Sequence, residues 1–70
     1  MPGERSGDLT ERERQVMVLI AKGHTNKAIG RELEMSPHTV AGHVQDILRK
    51  YDVPNRAAAV DEWRRRGNGA

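Results

Sequence analysis

Apolar residues recur along this 70-residue chain at helical spacing, in four blocks separated by short connections that carry glycine, proline or small polar residues. The first block, Val16, Met17, Leu19 and Ile20, follows a clear start signal. Thr10-Glu11-Arg12-Glu13 has the form of a capping box, in which the Thr10 hydroxyl and the Glu13 carboxylate each satisfy a free backbone N–H. Leu9 stands where it can staple onto the first turns, and Gly23 is placed to end the helix in a left-handed conformation. A helix over about residues 10–22 is predicted. A shorter one follows over 26–34, with Thr25 or Asn26 as cap, Ala28, Ile29 and Leu33 turned inward, and Gly30 open to close approach by a neighbouring helix. Ser36-Pro37 then marks a new start, because proline suits the first helical position and serine the cap before it. About three residues join these two helices, which forces a large angle between them. The pair reads as a helix-turn-helix unit.

The third helix, over 37–51, separates its residues most clearly. At 100° per residue, Val40, Val44, Ile47, Leu48 and Tyr51 fall within a sector of roughly 100°. His38, Ala41, Gly42, Gln45 and Arg49 occupy a second sector of about the same width. One face is core. The other is small and polar near the N-terminal end, with a hydrogen-bonding glutamine and a cation further along. Gly42 costs about 0.5–1 kcal/mol of helix stability relative to alanine, so its presence points to steric access. The fourth helix, over 55–66, is capped by Asn55 after Val53-Pro54. It groups Arg56, Ala59, Val60 and Trp63 on a core side and Ala58, Asp61, Glu62 and Arg65 on an outer side. Asp61–Arg65 and Glu62–Arg66 have the favoured acid-first i, i+4 spacing. No stretch alternates in the manner of a strand. An all-α, four-helix domain over 9–66 is expected, with a flexible leader over 1–8 and a disordered tail over 67–70.

Composition narrows the chemistry. The net charge is only +2 and is evenly spread, neutral over residues 1–22 and one positive charge in each of 23–50 and 51–70. A nucleic-acid surface must therefore come from geometry that gathers cations on one side. There is no cysteine, hence no disulfide, zinc-thiolate site or thiol nucleophile. Two aromatic residues, Tyr51 and Trp63, are too few for a base-stacking platform. The longest apolar run, Val16 to Ala21, is far short of the ~20 residues a membrane span needs. His38 and His43 lie about 140° apart around a helix and cannot chelate together, so no metal is expected. The carboxylates sit in caps and solvent pairs, with no nucleophile–base set or phosphate-binding glycine loop, and an enzyme is not expected.

Several blocks then occur in one order and spacing: Leu9 to Val16, Gly23, Asn26-Lys27, Ile29, Leu33, Ser36-Pro37-His38-Thr39-Val40 and His43. Together they resemble the LuxR-type (GerE-type) helix-turn-helix domain over about residues 9–63. The resemblance implies a four-helix DNA-binding domain of a bacterial transcription regulator. It would act in the cytoplasm without a cofactor, as a homodimer on a pseudo-palindromic duplex, with RNA polymerase as a further partner and no membrane. Response regulators are among the proteins that carry such a domain. Position by position, it implies base reading by Ala41, Gly42 and Gln45. Contacts at or near phosphates fall to Thr25, Asn26, Lys27, Ser36, His38, Thr39 and Arg49, and a dimer contact to the fourth helix, where Ala58, Asp61, Glu62 and Arg65 face outward. Lys27, Arg49 and Lys50 also read directly as phosphate clamps, and Gln45 can bind an adenine edge in bidentate fashion.

This chain departs from the family pattern where a basic residue is common at positions 41 and 45, where glutamate is frequent at 28, and where Leu-Gly usually stands in place of Tyr51-Asp52. The low charge and the small Ala41/Gly42 face keep open a second reading, a protein-interaction module that retains the trihelical core with little DNA affinity. A sigma-factor-like promoter domain shares the helix-turn-helix, but the His43 block and the spacing to the fourth helix favour the LuxR type.

Overall fold

The computed structural model describes residues 8–67, so most of the expected leader and tail lies outside it. Four helices follow in order: α1 (Glu11–Ala21), α2 (Asn26–Leu33), α3 (Pro37–Tyr51) and α4 (Arg56–Arg65). Among the described residues there is no strand, and the architecture is the expected all-α one. The residues at the outer ends of the expected spans, Thr10, Lys22, Glu34, Asn55 and Arg66, are caps and not helical residues.

Each N-terminus is closed by a side chain that accepts an otherwise unused backbone N–H. Thr10 Oγ1 accepts from Glu13 at 3.1 Å, Thr25 Oγ1 from Ala28 at 3.1 Å, Ser36 Oγ from Thr39 at 3.0 Å and Asn55 Oδ1 from Ala58 at 2.9 Å. Such caps contribute about 1 kcal/mol each. The capping box on α1 is complete, because Glu13 Oε1 accepts the Thr10 N–H at 2.9 Å. At the other ends the chain turns left-handed. Gly23 does so at φ +91°, as anticipated, and Asp52 does so at φ +58° where glycine would turn more easily. Glu34 does the same at φ +59°, a position that carried no such expectation. A non-glycine residue there costs about 1–3 kcal/mol.

α3 packs against all three other helices. Around it, Val16, Met17, Leu19 and Ile20 of α1, Ile29 of α2, and Ala59 and Trp63 of α4 close on Val40, Val44, Ile47 and Tyr51. Leu9, Leu33, Leu48 and Val60 flank this core half-buried. Gly30 is buried, and a Cβ there would run into the carbonyl oxygen of Met35. The close neighbour is thus the turn between α2 and α3, not another helix. The Met35 N–H also donates to the Gly30 carbonyl at 2.7 Å.

Two polar links join distant parts of the chain. Lys50, in the last turn of α3, donates from Nζ to Glu13 Oε1 at 2.8 Å, and the Glu13 side chain is only 7% exposed. Arg56, grouped by spacing with the core side of α4, instead donates to Asn26 Oδ1 at 2.8 Å and to the His24 carbonyl at 3.1 Å. Its stem lies along the fold while its guanidinium reaches the exposed start of α2, as long cationic side chains do. At the far end of α4, the Arg66 guanidinium lies 4.3 Å from the centroid of the Tyr51 ring.

Burial pushes the Glu13 carboxyl up, but the Lys50 ammonium and the Thr10 N–H outweigh it and hold the group below the usual glutamate range. A carboxyl lowered by folding stabilises the fold fully above its unfolded value, about 4.3, and loses that contribution as pH falls through the lower folded value. Urea unfolding from pH 7 to pH 3 should therefore show a smaller loss of stability for Glu13→Gln than for the unaltered chain. Lys50→Met leaves a nearly buried carboxylate without its cation and should cost about 2 kcal/mol at pH 7. Equal pH slopes for Glu13→Gln and the parent would refute the link. Gly30→Ala should cost a further, independent 2 kcal/mol or so, since the Met35 carbonyl must move to admit the methyl group. A melting temperature unchanged by Gly30→Ala would contradict that close approach.

Candidate nucleic-acid interface

The outer sector of α3 is where the expected recognition residues stand. His38, Gly42, Gln45 and Arg49 are exposed and Ala41 is half-buried, on the side of the helix away from Val40, Ile47 and Tyr51. Position 42 has open space around it, with nothing within 4 Å of a Cβ built there. Nothing within the protein requires glycine at this point, although an exposed mid-helix glycine lowers stability. Thr25 and Ser36 are exposed, and their oxygens cap the starts of α2 and α3. Thr39 is also exposed, 3.0 Å from Ser36 through their hydroxyls. Lys27 stands exposed in the first turn of α2, and Asn26 beside it is half-buried and held by Arg56. Because α2 and α3 pack directly on each other, the turn sets these groups in a fixed relation to the outer sector.

Lys50 does not join this set. It lies about 100° around the helix from Arg49, on the α1 side, where the Glu13 carboxylate needs a cation. Arg49 does point outward, with 68% of its side chain exposed, and its Nη2 lies 2.6 Å from Asp46 Oδ1. Both permanent cations of α3 are thus bound to carboxylates of the protein itself. Beyond Arg49, a shallow open depression is lined by Gln45, Leu48, Arg49, Asp52, Val53 and Pro54.

On α4, Ala58 and Glu62 are half-buried and Asp61 and Arg65 exposed. The expected Asp61–Arg65 pair does not form. Arg65 turns instead to Glu62 at 2.8 Å, one residue closer, and Arg66 binds the second oxygen of the same carboxylate at 2.8 Å. Those donors, Arg66 first, hold the Glu62 carboxyl below its ordinary value. Sequence reading missed the roles of Arg56 and Asp46. The Asp46–Arg49 i, i+3 spacing was a signal for the latter, whereas nothing local marked Arg56 as a partner of Asn26, thirty positions away.

Residues 8–63, nearly all of the described fold, match the model of the family described as bacterial regulatory proteins, luxR family. The chain belongs to the LuxR family. It is a DNA-binding helix-turn-helix domain of transcription regulation, and this family is not one of enzymes. Over 52 residues, 74% of this chain, it is 49% identical to the transcriptional regulatory protein LiaR of Bacillus subtilis. It is 40% identical over 67 residues, 96% of this chain, to an HTH-type transcriptional regulator of Mycobacterium tuberculosis. A third relative, the regulator YhjB of Escherichia coli, is 39% identical over 52 residues. The chain spans 25% of LiaR, 26% of YhjB and 8% of the mycobacterial protein. No helix among the described residues is long and apolar enough to cross a membrane.

The open position 42 separates stability from recognition. Gly42→Ala should raise the unfolding free energy by about 0.5–1 kcal/mol, since the methyl group meets nothing and helix propensity improves. The same methyl group stands on the face expected to meet DNA, and affinity for duplex should fall if that expectation holds. A variant that is more stable and binds at least as well would show that glycine here has no part in close approach.

Proposed function

We propose that this LuxR-family domain reads duplex DNA by laying the N-terminal half of α3 in the major groove. Ala41 and Gly42 let the helix axis come close to the base edges, Ala41 lying against a thymine methyl, and Gln45 forms a bidentate contact to adenine. Thr25, Asn26, Lys27, Ser36, His38, Thr39 and Arg49 meet the flanking phosphates, which fix register but carry no sequence information. Lys50 acts from inside the fold, holding α3 to α1. The observation that carries this reading is Gly42, a costly residue on an exposed helix face with open space around it.

The domain is proposed to be monomeric in solution and to pair on a pseudo-palindromic site through the outer face of α4, with Ala58, Asp61, Glu62 and Arg65 at the contact. The sole large apolar side chain exposed among the described residues is Val18, on α1, so α4 offers a small polar interface suited to association on DNA. Its place of action is the bacterial cytoplasm, where it would work alongside RNA polymerase. The pairing of both α3 cations with carboxylates and the small Ala41/Gly42 face also suit a protein-interaction module, and salt dependence distinguishes the two.

Selection of duplexes from a random pool at physiological salt, with Gln45→Ala in parallel, tests the proposal. A two-fold symmetric motif should be enriched, and Gln45→Ala should relax preference at one base pair of each half-site, by about 1–3 kcal/mol. Sedimentation should give a monomer alone and two copies per selected duplex. Failure to enrich any motif, with weak binding that disappears as salt rises, would sink base reading by α3 and favour the interaction module.

A further inference from the structure

We infer that Asp46 controls how strongly this domain is drawn to the DNA backbone, by holding Arg49 in an internal ion pair that a phosphate must displace. The inference rests on the reading of α3 as the helix that meets DNA.

Asp46 lies on α3 next to Gln45, and one turn of helix before Arg49. Its Oδ1 accepts from Arg49 Nη2 at 2.6 Å, a charge-assisted contact at the short end of the range. Both side chains are well exposed, Asp46 at 48% and Arg49 at 68%, so the pair is open to a polyanion approaching the helix. Lys50, the other permanent cation of α3, is committed to Glu13, which is buried and holds it firmly. Arg49 is therefore the cation that α3 can offer to a phosphate, and in the free protein it is neutralised.

Two consequences follow from a carboxylate in this place. A phosphate and Asp46 compete for one guanidinium, and a bound phosphate leaves Asp46 as an unpaired negative charge beside the backbone. An exposed pair of this kind is weak enough to be displaced, at a cost that corresponds to roughly a two- to fivefold loss of affinity. Because the effect passes through phosphates, it applies to every sequence alike. Asp46 is thus a positioning residue for Arg49, not a base reader, and its signature is the salt dependence of binding.

Anisotropy titrations of a labelled random-sequence duplex, from 50 to 200 mM salt, test this with Asp46→Asn, Arg49→Gln and the double variant. Glu11→Gln, which removes an exposed carboxylate from the first turn of α1, controls for net charge. Asp46→Asn should bind roughly two- to fivefold more tightly at low salt, and its log–log salt slope should steepen by up to about 0.9, because the Arg49–phosphate contact then leaves no unpaired carboxylate to retain a counterion. In the Arg49→Gln background the same change should leave the slope unaltered. Thermal unfolding of Asp46→Asn should match the parent, so that the effect is read on DNA and not on the fold. If the parent binds duplex but Asp46→Asn behaves as Glu11→Gln does, or steepens the slope equally without Arg49, this inference fails and the DNA-reading assignment stands. If the parent binds no duplex at any salt, both fail together.

Discussion

The carbonyl of Met35 lies so close to Gly30 that no side chain fits between them, and the direction in which α3 leaves the turn follows from that approach. A connection of three residues has little freedom of its own. Here Glu34 turns left-handed, Met35 donates back to Gly30 and Ser36 caps the next helix, so each of the three residues has a fixed part in the turn. The angle between α2 and α3 is consequently a property of packed backbone and not of adjustable side chains. Any surface built jointly from the start of α2 and the outer sector of α3 inherits its shape from this contact. The left-handed Glu34 is tolerated because Gly30 before it and Met35 after it are packed against each other.

A second constraint works at long range. Glu13 closes the first turn of α1 and also receives Lys50 from the last turn of α3, so one carboxylate completes a local cap and fastens two helices. Arg56 plays a comparable part between α4 and the start of α2. In both cases a charge on the surface side of one helix satisfies polar groups at the end of another. The apolar core thereby need not extend to the helix termini. For a domain of this size, whose core is limited by its surface-to-volume ratio, such polar fastening at the periphery holds the outer turns in register.

The helices and their caps were legible in the sequence because they are decided locally. Thr10 with Glu13, Ser36 with Pro37, and Asn55 each act within three residues of themselves. The core stripe of α3 was legible for the same reason, since periodicity alone separates Val40, Val44 and Ile47 from Gly42 and Gln45. Charge pairing was not. Lys50 and Arg49 are adjacent and chemically alike, yet one serves α1 and the other the outer face, a division that depends on where α1 crosses α3. Arg65 chose Glu62 over Asp61 among two carboxylates within reach, a choice made by rotamer and not by spacing. Arg56 looked like a core-side residue because its angle on the helix is right, while its length carries the guanidinium past the core to Asn26. The exposure of the outer sector of α3 was thus legible from position, and its electrostatic state became visible only with the partners in place.

That state bears on how such a domain would search. A helix whose cations are internally neutralised gains little from the smooth electrostatic field of random duplex, which ordinarily supports long sliding contacts. Encounters with unrelated sequence would then be brief, and movement along a chromosome would proceed by dissociation and re-collision more than by one-dimensional travel. Residence would lengthen only where Gln45 and its neighbours find their bases. The ion pair between Asp46 and Arg49 would, in this sense, set a clock for rejection of the wrong sequence as well as a strength for holding the right one.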